Sequence, residues 1–193
     1  MIIQVSHNNQ NYRVDTKRSI DISIPYNFNG VQPNLYDVNP GKSSPLKFGK
    51  TTYPVADGAG CNVPEISMNI HCTGTHTEYV GHLLEDPGDI GIVLKDIIIP
   101  AVLITVHPKL FKDVKEFYHC SVKDNELVIS AESICTKFEK WKELKPQALI
   151  IRTSPNTEDK QYHQFTITPP PFFTNDALGL ISKLDIDHLV VDL

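Results

Sequence analysis

The sequence predicts an α/β fold, and three observations predict it. Strand-like and helix-like patterns alternate through the second half of the chain, as they do where helices pack on a sheet. The strand patterns there are short and rich in β-branched residues: Ala101 to Val106, Ala148 to Ile151 and His188 to Leu193. The helix patterns between them begin on hydroxyl or amide caps and carry one apolar side, the marks of helices that bury a single face.

Each element has a local reason. Ile2 to Val5 and Asn11 to Val14 alternate polar and apolar residues around His7-Asn8-Asn9-Gln10, a hairpin with Asn-rich turn chemistry. Ile20 to Ile24 is a third strand candidate, stopped by Pro25, which brings no N–H to a ladder. Residues 26 to 64 carry many Pro, Gly and Asn residues, yet Phe28, Leu35, Tyr36, Leu46, Phe48 and Tyr53 offer groups to bury. This reads as a long excursion with short strands, either covering a substrate or forming plain surface loops. Ile90 to Leu94 reads as a buried strand, as does Ala101 to Val106. Ser130 caps a helix reaching Leu144, with Ile134, Phe138, Trp141 and Leu144 on its apolar side. Thr174 or Asn175 caps a second one through Ala177, Leu178, Leu180, Ile181 and Leu184.

The chemistry concentrates between Asn69 and His82. His71, Cys72, His76, Glu78 and His82 fall within this one segment, three of the eight histidines among them. Imidazole nitrogen, carboxylate oxygen and thiolate sulfur are the common ligands of a catalytic divalent metal. His76 and Glu78, two apart, would share a face of an extended strand and aim at one ion. Gly74 would let the backbone turn sharply between the halves of the cluster. His82, four residues beyond Glu78, can return to the same site as a ligand, as the base that orients water, or as a hydrogen-bonding neighbour. His71 and Cys72 compete for one ligand place; a thiolate would favour zinc over manganese. Such a site lowers the pKa of water from about 15.7 to near 7 and polarises a carbonyl, which suits hydrolysis. Arg152 could meet a substrate carboxylate or a structural Asp, and Phe172-Phe173 could line a pocket or fill a core. No Gly-x-Ser-x-Gly elbow or Gly-rich phosphate loop is present, which argues against a serine hydrolase or a nucleotide enzyme.

The run His71-Cys72-Thr73-Gly74-Thr75-His76-Thr77-Glu78-Tyr79-Val80-Gly81-His82 resembles the metal signature of the cyclase family of hydrolases, to which bacterial kynurenine formamidase and isatin hydrolase belong. The usual family pattern is His-x-Gly-Thr-His-x-Asp-x-Pro-x-His. Here Cys72 stands in the first His register, with His71 before it, Glu78 replaces the Asp and Val80 the Pro. A variant branch with His-x-x-Gly-Thr-His-Thr-Glu is the closer match. Ile20 to Pro25, Ala148 to Thr153 and His188 to Leu193 also fit, so the resemblance spans nearly the whole chain. It implies a swivelling β/β/α domain and metal ligands His71, His76, Glu78 and His82. Catalytic roles fall to His82 and Glu78, and the cofactor is a divalent ion, zinc or manganese. It further implies a homo-oligomer that hydrolyses an amide carbon–nitrogen bond in a small-molecule substrate, arylformamidase-like, as in tryptophan catabolism. The alternatives are a non-catalytic metal- or ligand-binding relative and a lactone hydrolase. In the family the last strand runs on into Pro-Ser-Val-Asp and supplies further ligands, so the expectation is a single domain over residues 1–193 that is C-terminally short.

Composition agrees with a globular enzyme. Of 193 residues, 40% are hydrophobic and 21% charged, the balance of an ordinary soluble domain. A net charge of -5 offers no basic field for nucleic acid. Ile90 to Val106 is interrupted by Lys95, Asp96 and Pro100, which argues against a membrane span. The start, Met1-Ile2-Ile3-Gln4-Val5-Ser6-His7, has no secretory pattern, so a cytoplasmic location is expected. Cys61, Cys72, Cys120 and Cys135 show no paired spacing and are expected as free thiols.

Overall fold

The structure is a computed structural model describing residues 1–193. It is mixed α/β, with small sheets and few helices. The strands and helices in chain order are β1 (Ile2–His7), β2 (Gln10–Asp15), β3 (Lys42–Pro45), β4 (Lys47–Phe48), β5 (Thr51–Thr52), β6 (Pro64–Ser67), α1 (Ile90–Val93), β7 (Ala101–Val106), β8 (Lys109–Leu110), β9 (Leu127–Ile129), α2 (Ala131–Phe138), β10 (Ala148–Thr153), β11 (Phe172–Phe173), α3 (Asn175–Ile181) and β12 (His188–Val191). They fall into two compact units, one of residues 1–21, 91–156 and 170–193, the other of 22–90 and 157–169. No helix is long and apolar enough to cross a membrane.

The first unit holds the hydrophobic core. β12, β10 and β7 form a parallel sheet in that order. Val102, Ile104 and Val106 of β7 and Leu149 and Ile151 of β10 alternate onto one face and bury against Ile134 and Phe138 of α2 and Ala177 of α3. That alternation is the period of a strand, and full burial of each such side chain contributes roughly 1.5–3 kcal/mol. α2 starts where Ser130 accepts a hydrogen bond from the Ser133 N–H, and α3 where Thr174 accepts from Ala177. Glu116 adds its carboxylate to the same corner, accepting from the N–H groups of Ala131 and Glu132 and from the Thr174 hydroxyl. Beyond Phe138, α2 tightens into a 3-10 stretch through Leu144, where Lys145 turns left-handed at φ 43°. The expected hairpin is β1–β2, with Asn8 and Asn9 at positive φ in its turn. Phe173 packs on this core, so it is filler rather than pocket wall. Arg152 lies within β10 and donates to the Thr105 hydroxyl of β7, and no carboxylate meets it in those bonds.

Two expected strands are absent. Ile20 to Ile24 enters no ladder; Ile20 and Ile22 are 83% and 65% exposed. Ile90 to Leu94 winds instead into the single turn α1, with Ile92 and Val93 exposed. Periodicity cannot separate a short apolar strand from a helical turn, and neither segment finds a neighbouring strand to complete its backbone bonds.

The second unit is built from loops and small antiparallel ladders, β3–β6 and β4–β5. Its excursion over residues 26 to 64 is therefore ordered, with short strands as expected. Gln32, 6% exposed, holds it from inside. Its side-chain amide donates to the carbonyls of Asn27 and Gly41 and accepts from the Gly41 N–H, at 2.7–2.8 Å. Gln32→Leu keeps the bulk but leaves the Gly41 N–H without its partner, while the Asn27 and Gly41 carbonyls keep only the N–H groups of Gly30 and Asn29. The expected loss of stability is about 2 kcal/mol, read as a lower urea midpoint with unchanged slope.

Candidate metal centre

The segment from Asn69 to Leu83 is held as a tight turn, a stretch without regular structure and a 3-10 turn. Asn69 makes the first part: its side-chain oxygen accepts from the Cys72 N–H at 3.1 Å, and its carbonyl accepts from the buried Thr73 hydroxyl at 2.5 Å. This is the local side-chain-to-backbone bonding that favours turns over regular structure. It presents His71 at the top of the turn. The stretch from Thr75 to Tyr79 has no regular structure and joins no ladder, so His76 and Glu78 do not lie on a sheet strand as expected. Val80–Leu83 is a 3-10 turn carrying His82.

Gly74 lies in a bend, as expected, and it also makes room for a neighbouring ring. It is not among the residues with positive φ. A Cβ there would run into the ring of Tyr26. The Tyr26 hydroxyl donates to the Thr75 carbonyl at 2.6 Å, and its ring stacks on Phe28 at 5.8 Å between centroids. The hydroxyl of Thr75 is also committed, accepting from the Ile24 N–H at 2.8 Å. It braces the segment before Tyr26.

Glu78 is the hub of the cluster. Its Oε2 lies 3.2 Å from His71 Nδ1, 3.8 Å from His82 Nδ1 and 4.0 Å from His76 Nε2. The His71 ring stands 4.2 Å from that of His82 and 5.1 Å from that of His76, nearly perpendicular to the latter. The ligand atoms of His71, Glu78 and His82 all lie within 4.8 Å of one another. His76 stands just outside this trio, but it is oriented: its Nδ1 lies 2.9 Å from the Gly74 carbonyl. A carbonyl only accepts, so Nδ1 donates there and Nε2 is the nitrogen on the Glu78 side. Cys72 is not in the trio; its backbone is bonded on both sides, to Asn69 and to the Leu35 N–H.

These spacings suit a divalent ion. With bonds of about 2.0–2.1 Å, two ligands of one ion lie no more than ~4.2 Å apart. The three contacts of Glu78 meet that limit, and the His71, Glu78 and His82 atoms together lie within 4.8 Å, so the group could hold a metal ion. Imidazoles with one carboxylate are common ligands of divalent ions. The side chains of His71, Glu78 and His82 are 43%, 52% and 48% exposed, leaving room for water and a substrate. Sequence reasoning missed Tyr26, Asn69 and Thr73. Asn69, three residues ahead of Cys72, carried a turn signal; nothing local marked Tyr26, whose partner lies 49 positions away.

No curated protein and no solved structure matches the chain. A family model, Cyclase, described as "Putative cyclase", matches residues 20–193. With its His-rich cluster inside a match over most of its length, the chain belongs to the cyclase family.

Proposed function

We propose that this protein is a metal-dependent hydrolase that cleaves an amide carbon–nitrogen bond. Membership of the cyclase family suggests a cyclase- or hydrolase-like enzyme. The observation that carries the finer reading is the convergence of His71, His76 and His82 on one carboxylate, Glu78. A divalent ion bound there supplies Lewis acidity, which makes water nucleophilic near neutral pH and polarises a carbonyl oxygen. His71, His76 and Glu78 would hold it, with His82 as ligand or base. The ring of His82 has Nδ1 on the side of Glu78, so Nε2 can take a proton from the attacking water and pass it to the departing nitrogen. Water oxygen then bonds to the carbonyl carbon, the carbon–nitrogen bond breaks, and an acid and an amine leave. The swivelling β/β/α domain, the homo-oligomeric state and the formyl-amide substrate of arylformamidase-like relatives belong to the same proposal. The exposure of the ligand side chains favours a second reading, binding without turnover, because an open site does not exclude bulk water.

Loading the chelator-treated protein with zinc or manganese and offering it an N-formyl anilide, a cyclic amide and a lactone separates these readings. The expected result is amide hydrolysis that a chelator abolishes and fresh metal restores. Turnover of the lactone alone would assign the lactone chemistry, and tight metal uptake without any turnover would leave a binding protein.

A further inference from the structure

An open cleft of about 490 Å³ runs between residues 37–40 and residues 67–69. That volume is within the range of small-molecule sites. Asn69, at one end of the cleft, is the residue that closes the turn carrying His71. The opposite wall is a turn. Tyr36 and Asp37 are its consecutive non-glycine residues at φ 62° and 52°, a left-handed pair that costs backbone energy. Two hydrogen bonds enforce it: the Asn34 side-chain amide donates to the Val38 carbonyl at 2.8 Å, and the Leu35 N–H donates to the Cys72 carbonyl at 3.1 Å. The second bond fastens this wall to the turn of the metal centre. The remaining oxygen of the Asn34 side chain is buried without a partner, so the loop keeps its shape at the further cost of an unmet acceptor.

The lining is selective in charge. Asp37 is its one charged residue, and no Lys, Arg or His lines it. A carboxylate in a lining that holds no cationic side chain attracts a cation and repels an anion. We infer that this cleft is the substrate-recognition subsite beside the metal centre, and that it takes the amine-bearing end of an amide, with the ammonium paired to Asp37. Amides bearing a carboxylate at that end are excluded. This inference rests on the amide-hydrolase reading of the adjoining cluster.

The test is a binding measurement, independent of turnover. Calorimetric titration of the full chain, metal-free and zinc-loaded, uses para-(aminomethyl)benzamide, neutral para-methylbenzamide and anionic para-carbamoylbenzoate. The aminomethyl probe should bind about fivefold tighter than the methyl probe, as an exposed ion pair allows, and the carboxylate probe weakest. Asp37→Asn, which tolerates the left-handed backbone, should erase the difference while zinc affinity stays unchanged. Ser67→Lys should reverse the order. Equal binding of the three probes, no binding, or an order that survives both variants overturns the subsite. A clear charge order with no amide hydrolysis by the metal-loaded chain would instead sink the hydrolase reading and leave the subsite standing.

Discussion

Glu78→Gln should cost the protein its divalent ion. The carboxylate is the one group within 4.0 Å of all three histidines, so the amide removes both the charge that balances the ion and the shared ligand. The loss in zinc affinity should reach about a hundredfold or more, since even outer partners of metal ligands are worth 10–100-fold. Hydrolysis should fall with it. Cys72→Ser makes the contrast, because both bonds of Cys72 are made by its backbone and the serine keeps them. Zinc affinity there should stay near that of the parent. Competition against a chromophoric chelator reads both values. A Cys72→Ser loss exceeding the Glu78→Gln loss would move the centre onto the thiolate.

Gly81→Ala should be the most damaging single methyl in this unit. Gly81 is buried in the 3-10 turn that carries His82. A Cβ there meets the carbonyl oxygen of Pro87 and the ring of Tyr79. The carbonyl belongs to the backbone and cannot rotate away, so the turn must shift. Overpacking of this kind costs about 3 kcal/mol at its upper end, and the shift would also draw His82 off Glu78. Gly179 gives the opposite outcome. It lies in α3 with nothing near its missing Cβ, so Gly179→Ala should stabilise by about 0.5–1 kcal/mol. Urea midpoints of the two variants should move in opposite directions.

Elements with a local cause were legible. Ser130 and Thr174 announce α2 and α3 because a hydroxyl three residues ahead of an N–H is itself the cap. The hairpin β1–β2 was legible from its two asparagines, which accept positive φ. Ile20 to Ile24 and Ile90 to Leu94 misled for one shared reason. A strand exists only with a partner, and partners are decided by tertiary packing rather than by the segment. At the site, the cluster was visible because its chemistry is local to one stretch of chain. The bend at Gly74 was visible too, but its closeness to a ring was not, because Tyr26 arrives from 48 positions earlier. The strand expected for His76 and Glu78 was not borne out, since residues 75–79 join no ladder.

The short span of the cluster has a thermodynamic consequence. His71, His76, Glu78 and His82 never separate far, even in an unfolded chain, because so few residues join them. The entropy of closing such a loop is small. The denatured state therefore retains a share of the affinity for the ion, and an ion that binds both states stabilises only by the ratio of its two affinities. Metal can be held tightly here and still raise the melting temperature little. What distinguishes the native site is orientation, supplied by Gly74, Asn69 and Tyr26, and orientation acts on catalysis more than on the unfolding equilibrium.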